Sequence, residues 1–393
     1  MTSFEIAVPD ESITLLKDKL KLSRLPDEID GAGWDYGAPL ADIRRLSARW
    51  LDGYDWRKHE KALNNELPQF TRDIAIEGHG TLNVHYVYKQ SEAKNAIPLL
   101  FVHGWPGSFI EVRRILPLLT AVKESAPSFH VVAYSLPGFG FSQGAKTKGF
   151  ALKQYAEVGH KLMLALGYNE YVAQGGDWGS GIVSLLRVLY GPTHVKAVHS
   201  NTPFVFTPPP GVDPSSYTPG DLKFLERIKE WQQKGMGYIK QQATQPQTIG
   251  YSLADSPVGL LAWIYEKLVR WTDEYPWDDD EILTWISIYW FSRSGPAASV
   301  RIYYESFGGS GDLATPPLPE SKVPLGYSVF EQEQSTVPKS WIDAQNPAFH
   351  ERHKRGGHFP ALEKPTELVG DIRKMFSKGF PTYGVVPGKD GYV

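Results

Sequence analysis

Five consecutive residues, Gly175-Gly176-Asp177-Trp178-Gly179, follow the apolar run Tyr171-Val172-Ala173 and precede an apolar helical stretch. The Gly-x-Asp-x-Gly pattern reads as a nucleophile elbow with a carboxylate where a serine usually stands. A sharp strand-to-helix turn tolerates little bulk. Glycines two positions either side of Asp177 let the backbone pass close while the central side chain is pushed out at the end of the strand. A carboxylate attacks saturated carbon or phosphorus through oxygen and leaves an ester that water must later hydrolyse, which separates this chain from serine lipases and peptidases.

Such a nucleophile needs donors for an oxyanion, a base to activate water and an acid to orient the base. The base is expected at His358 in Gly356-Gly357-His358-Phe359, which follows the last predicted strand and precedes the last predicted helix. Of the 11 histidines, it alone combines a glycine pair with that place in the order nucleophile, acid, histidine. The acid is sought after the strand Leu325 to Phe330, where Glu331 and Glu333 stand two residues apart; on an extended segment they would point opposite ways, so only one can face His358. Backbone N–H groups of Trp178 and of Trp105, in the loop His103-Gly104-Trp105-Pro106-Gly107, are the expected oxyanion donors.

The elements that must position these residues alternate. Ile97 to Val102, Phe129 to Tyr134 and Tyr171 to Ala173 read as strands ending in the loops at His103, Leu136 and Asp177, with helical segments such as Leu152 to Leu166 between them. That order predicts an α/β fold with a mostly parallel sheet, helices on both faces and ligands at the carboxyl ends of the strands. Val195 to His199 is one more strand. From Phe204 to Gly211 the chain turns proline-rich, and helical, aromatic-rich stretches at Leu222 to Trp231, Pro257 to Trp271 and Glu281 to Phe291 read as a lid inserted into the core. Strands at Leu325 to Phe330 and near His353, then a helix from Pro365 to Phe376, complete the core. Ahead of it, Asp10 is placed as the N-cap of a helix over residues 10 to 24, with a second helix from Pro39 to Tyr54, packing anchors at Trp50, Tyr54, Trp56 and Phe70, and a hairpin from Asp73 to Tyr88. The expected divisions are residues 1–95, an amino-terminal region leading into the first core strands; 96–205, the first part of the core; 206–320, the helical lid; and 321–393, the second part.

Composition narrows the partners. With 41% hydrophobic and 22% charged residues and a net charge of -3 in 393 residues, the chain lacks both a disorder signature and an electrostatic footprint for nucleic acid. The absence of cysteine excludes disulfides, thiolate metal sites and a cysteine nucleophile. No basic amino-terminal segment leads into an apolar one, and no stretch approaches the roughly 18 apolar residues of a transmembrane anchor, so a soluble, cytoplasmic protein is expected. The sequence is compatible with a homodimer. Some of the 12 Trp, 20 Tyr and 18 Phe are expected to line an apolar cavity.

Taken together, Tyr54-Asp-Trp-Arg57, His103-Gly-Trp-Pro-Gly-Ser-Phe109, Gly175-Gly-Asp-Trp-Gly-Ser180, Asp255-Ser-Pro-Val-Gly-Leu260 and Gly356-Gly-His-Phe359 resemble, in order and over nearly the whole length, the microsomal-type epoxide hydrolases of the α/β-hydrolase superfamily. The resemblance implies an α/β-hydrolase fold with a helical lid and that family's amino-terminal region. It implies that Asp177 attacks an oxirane carbon of a small apolar epoxide, that two lid tyrosines hold the epoxide oxygen, and that water releases a vicinal diol without any cofactor or metal. Matching Lys234-Gly-Met-Gly-Tyr238 and Arg301-Ile-Tyr-Tyr-Glu305 to the family pattern assigns the tyrosines as Tyr238 and Tyr303, with Tyr304 adjacent; Pro324-Leu-Gly-Tyr-Ser328 and Val337-Pro-Lys-Ser-Trp341 assign the acid as Glu333 rather than Glu331. The rivals are a haloalkane or haloacid dehalogenase on the same fold and a non-catalytic ligand-binding relative. Aspartyl-phosphate chemistry would need metal-binding acids beside Asp177, and none adjoin it.

Overall fold

A computed structural model describes residues 1–393 except Phe204, Phe206 and 311–318. The excluded residues include the first part of the proline-rich stretch expected to open the lid and a segment near the lid's far end, so the readings that fall on them lie outside the described residues.

Among the described residues the sheet comprises β1 (Thr2–Ser3), β2 (Gln69–Ile76), β3 (Gly80–Lys89), β4 (Ile97–Val102), β5 (Phe129–Tyr134), β6 (Tyr171–Gly175), β7 (Val195–Ser200), β8 (Leu325–Phe330) and β9 (Phe349–His353). Their spatial order is β1-β2-β3-β5-β4-β6-β7-β8-β9. The pairs from β1 to β5 are antiparallel and those from β5 to β9 parallel, as expected of an α/β-hydrolase sheet. All six residues of β4, Ile-Pro-Leu-Leu-Phe-Val, are buried, the continuous apolar run of a strand covered on both faces. The chain leaves β4 toward β5 on one side and later returns to its other side as β6, so the strand order reverses at β4. Such a reversal opens a crevice at the carboxyl ends of the strands. The β4–β6 register pairs Val102 with Gly175, which brings the loop beginning at His103 beside Asp177.

Six described helices lie between β7 and β8: Pro219–Glu230, Gly237–Thr244, Pro246–Asp255, Pro257–Trp271, Asp279–Trp290 and Arg301–Ser306. Three match the stretches read as helical in the sequence. Gly237–Thr244, Pro246–Asp255 and Arg301–Ser306 were not anticipated. They are short, and glycine or proline breaks the sequence at their ends, leaving too few turns to display a clear apolar stripe.

The amino-terminal region differs in detail from the sequence reading. The N-cap of the helix Asp10–Leu22 is Pro9, and Asp10 is its first residue, where a carboxylate suits the helix dipole and pairs with Arg57. The helix predicted to reach Tyr54 ends at Ala48 and continues as a wider π-type turn, Arg49–Gly53. A further helix, Trp56–Glu66, follows, its N-cap Asp55 accepting from the Lys58 N–H. Trp50, Tyr54 and Trp56 are buried, while Phe70 on β2 is only partly so.

Two of these aromatics fasten the lid. Trp50 Nε1 donates to Ser287 Oγ at 3.2 Å, and the Tyr54 hydroxyl lies 3.0 Å from Thr284 Oγ1. Both partners belong to the lid helix Asp279–Trp290, whose other face donates Trp285 Nε1 to the Pro106 carbonyl and the Tyr289 hydroxyl to the Gly107 carbonyl, each at 2.6 Å. The amino-terminal region thus holds the loop after β4 through one intervening helix.

The backbone is closely packed where the helix Trp178–Leu189 starts. A Cβ on Gly179 would lie 2.1 Å from the Val102 carbonyl oxygen, a backbone atom in the middle of the sheet. Gly179→Ala is therefore expected to lower stability on the order of 3 kcal/mol. Gly370→Ala, in the helix Pro365–Met375 where a Cβ would meet nothing within 4 Å, should instead raise stability by roughly 0.5–1 kcal/mol. Urea unfolding of the two variants measures both shifts.

Candidate active site

Asp177 has φ +50° and ψ -127°, a conformation L-residues rarely adopt and one that costs on the order of 1–3 kcal/mol. Four glycines make it reachable. A Cβ on Gly175 would lie 2.4 Å from the Gly179 carbonyl oxygen, one on Gly176 2.5 Å from Asn201 Nδ2, and one on Gly104 2.3 Å from Asp177 Oδ1, in addition to the Gly179 clash. The Asp177 N–H donates to Thr202 Oγ1 at 3.1 Å, securing the turn from the far side. The Trp105 N–H donates to Oδ1 at 2.7 Å, and the Trp178 N–H is also directed at the carboxylate. Burial pushes this carboxyl above its ordinary range; the His358 charge and the two amides act in the opposite direction.

His358 sits between β9 and the turn Pro360–Glu363. Its N–H donates to the Trp271 carbonyl at 2.8 Å, and a Cβ on Gly357 would lie 2.4 Å from that same oxygen, which is why a glycine precedes the histidine. Glu363 accepts from the N–H groups of Gly357 at 3.1 Å and Phe359 at 2.9 Å, so the loop is pinned on both sides of the ring. The ring packs against Trp271 with centroids 4.8 Å apart. Nδ1 is 2.7 Å from Glu333 Oε2, and Nε2 is 3.7 Å from Asp177 Oδ2.

Glu333 follows β8 in a turn closed by its own N–H donating to the Phe330 carbonyl at 3.1 Å, so the segment is not extended as the sequence reading supposed. The turn separates the two candidate acids. Glu333 is buried against His358, with Oε1 accepting from the Ser335 N–H and hydroxyl at 3.2 and 3.1 Å. Glu331 faces Arg352 at 3.5 Å. Burial works against ionisation of Glu333, but the His358 charge and the Ser335 donors outweigh it and hold the carboxyl below its usual range. For His358, burial disfavours the imidazolium; Glu333, Asp177 and Glu111 outweigh it, and the pKa is raised to about 9.

Tyr238 on the helix Gly237–Thr244 and Tyr303 on Arg301–Ser306 come together, ring centroids 6.0 Å apart and nearly perpendicular. Trp105 stacks on Tyr238 at 5.3 Å, and Trp178 meets the Tyr303 ring edge-on at 4.8 Å. Burial raises both phenols well above their ordinary pKa, and the Asp177 charge adds to it, so both remain O–H donors. Tyr304 lies against Gly309, outside the cavity. That cavity, of about 310 Å³, is lined by Asp177, Trp178, Tyr238, Tyr303, Glu333 and His358, and by the apolar side chains of Trp231, Met236, Ile239, Trp271 and Phe307.

The structure therefore brings together Asp177, His358, Glu333, Tyr238, Tyr303 and the Trp105 and Trp178 amides, and leaves Glu331 and Tyr304 aside. It also adds Trp271, Glu363 and Glu111. The sequence carried no local signal for Trp271, whose role arises from contact with a segment far along the chain, or for Glu363, which folds back on the His358 loop. Glu111, a charge four residues beyond Gly107, could have been noticed as a carboxylate next to an oxyanion loop.

Comparison with known proteins agrees with this geometry. The epoxide hydrolase N terminus matches residues 1–112, and the α/β hydrolase fold matches residues 97–247. A putative epoxide hydrolase of Stigmatella aurantiaca is 38% identical, aligned over 96% of this chain and 84% of its own length. The chain belongs to the epoxide hydrolase family. Epoxide hydrolase 1 of Sus scrofa is 34% identical over 95% of this chain and 87% of its own. Among solved structures, that of Aspergillus niger epoxide hydrolase superposes on this epoxide hydrolase with a TM-score of 0.82 at 35% identity, covering 94% of each chain. Family membership selects the epoxide reading over its halide rival. No helix among the described residues is long and apolar enough to cross a membrane.

The charge coupling is measurable. Glu333→Gln removes the negative charge that most favours the imidazolium, so the His358 titration followed by NMR should move down from about 9 toward the ordinary imidazole range. An unchanged midpoint would contradict the coupling.

Proposed function

We propose that this epoxide hydrolase works in two half-reactions, and that Asp177, His358, Glu333, Tyr238 and Tyr303 carry them. The observation that supports this best is the convergence of two protonated tyrosines and one carboxylate on a single apolar cavity. A phenol pair facing a nucleophile suits a leaving oxygen that stays on the substrate and must be given a hydrogen bond and then a proton.

In the first half, Asp177 Oδ2 attacks an oxirane carbon, because Oδ1 is held by the Trp105 N–H. The C–O bond of the ring breaks, and the alkoxide takes a proton from Tyr238 or Tyr303. Burial disfavours the resulting phenolate, so it recovers a proton from the His358 imidazolium. Esterification assists that transfer. It removes the Asp177 charge, one of those that keep His358 protonated, and so leaves the imidazole neutral when a base is needed.

In the second half, His358 takes a proton from water, and the water oxygen attacks the Asp177 carboxyl carbon. The oxyanion forms on Oδ1, where the Trp105 and Trp178 N–H groups already point. The ester C–O bond then breaks, His358 returns the proton to the departing alkoxide, and a vicinal diol leaves. Glu333 keeps Nδ1–H directed toward itself and Nε2 toward the ester. The walls of Trp231, Met236, Ile239, Trp271 and Phe307 suit an epoxide with an apolar substituent.

Styrene oxide should be converted to its diol, while a chlorinated alkane should release no chloride. Asp177→Ala should abolish turnover, and His358→Gln should accumulate an adduct with the mass of enzyme plus epoxide. Tyr238→Phe and Tyr303→Phe should each slow ester formation on the order of 10²-fold. Single turnover in H₂¹⁸O decides between an ester and direct attack by water. The label should appear in the Asp177 carboxylate, and label confined to the diol would exclude the ester.

A further inference from the structure

One carboxyl beside the site has no part in that mechanism. Glu111 closes the short 3₁₀ turn Phe109–Glu111 just after the loop His103–Gly107. The residue as a whole is half-buried, but its Oε1 is shut off from solvent and makes no hydrogen bond of normal geometry among the described residues. The carboxyl lies directly against the loop. A Cβ on Gly107 would fall 1.7 Å from Glu111 Oε1, so the carboxyl occupies the space that a side chain at position 107 would take. At the other end of the same loop, Gly104 touches Asp177 Oδ1.

Among the described residues no arginine or lysine forms an ion pair with Glu111. The N–H groups of Ser108 and Gly104 point toward its carboxyl, and the charged groups that act on it are His358 and Asp177. Tyr289 also lies within its field, with its hydroxyl committed to the Gly107 carbonyl. Burial pushes the Glu111 carboxyl up to about 8, with His358 pulling it down and Asp177 pushing it further up. A carboxyl oxygen left unmatched in such a place costs folding free energy, and groups of this kind concentrate where chemistry occurs.

We propose that Glu111 positions the hydrolytic water: its Oε1 accepts one hydrogen of that water while His358 Nε2 accepts the other, which aims the oxygen lone pair at the Asp177 carboxyl carbon. This role rests on the ester mechanism above. As the water attacks, the O–H bond facing His358 breaks and the new O–C bond forms. The hydrogen held by Glu111 stays on the oxygen, becomes part of the regenerated Asp177 carboxyl and then passes to His358 Nε2, which restores both the carboxylate and the imidazolium. Glu111 neither gains nor loses a proton over the cycle. Any group with an acceptor oxygen at this point can do the same work, and an apolar group of similar size cannot.

The test separates the two half-reactions with styrene oxide as probe, following ester formation and decay by rapid quench and mass spectrometry in full-length enzyme. Glu111→Leu should form ester within about threefold of the wild-type rate, yet hydrolyse it on the order of 10²-fold more slowly, so that the adduct accumulates at steady state. Glu111→Gln, which keeps an acceptor oxygen, should hydrolyse within about tenfold of wild type. If Glu111→Leu does not fold, Glu111→Ala provides the same comparison with less bulk. Formation and decay falling in parallel would mark Glu111 as a packing residue and overturn the proposal, as would wild-type hydrolysis in the apolar variants. An absence of adduct in His358→Gln as well would overturn the ester mechanism itself, and the role of Glu111 with it.

Discussion

The backbone of Asp177 takes its positive φ where the helix Trp178–Leu189 begins directly under the carbonyl of Val102, in a contact that leaves no room for a side chain at position 179. Because β4 and β6 are neighbours with Val102 opposite Gly175, the loop after β4 has nowhere to go except across the elbow. That close crossing is what directs the Trp105 and Trp178 amides at one carboxylate. Gly104, Gly175, Gly176 and Gly179 are the consequence, since each lies where a Cβ would meet another atom at 2.5 Å or less. The proposed oxyanion site is thus a product of sheet register and close packing.

Electrostatics then follow from putting three carboxyls around one imidazole in a water-poor crevice. Glu333 and Asp177 flank the ring, and Glu111 adds a third negative influence. The Asp177 charge favours the imidazolium, so on the proposed mechanism the protonation of His358 changes when Asp177 becomes an ester. On the proposed mechanism the tyrosines join this exchange, one of them giving up a proton that His358 restores. Buried under Trp105, Trp178 and each other, they rest protonated.

The lid and the amino-terminal region take part in the same construction. The lid helix Asp279–Trp290 is fastened on one side by Trp50 and Tyr54, and on the other donates to the carbonyls of Pro106 and Gly107. The backbone of Trp271 accepts the His358 N–H. Segments more than two hundred residues apart therefore share responsibility for the geometry of one loop.

Much of this was legible in the chain. Strands β4, β5 and β8 have the limits that their largely apolar runs suggest, because a strand covered on both faces reads as a near-continuous apolar stretch. Asp177, His358 and the backbone donors were recognisable because glycine is demanded at fixed distances from a strained turn, a rule that operates within a few residues. Local pattern could not choose between Glu331 and Glu333 or between Tyr303 and Tyr304. Those choices depend on which way a turn or a short helix faces, and the deciding partners, Arg352, His358 and Asp177, lie elsewhere in the chain. The direction of the Glu111 carboxyl was not legible for the same reason, although its position beside the loop was. By itself the sequence determined the candidate nucleophile, the order of the candidate catalytic residues and the α/β alternation, all of which are encoded by spacing along the backbone. Only the tertiary structure decided which carboxyl meets His358, which tyrosines face Asp177 and where the unmatched Glu111 oxygen lies, because distances across a crevice are set by packing between segments that are remote in the chain.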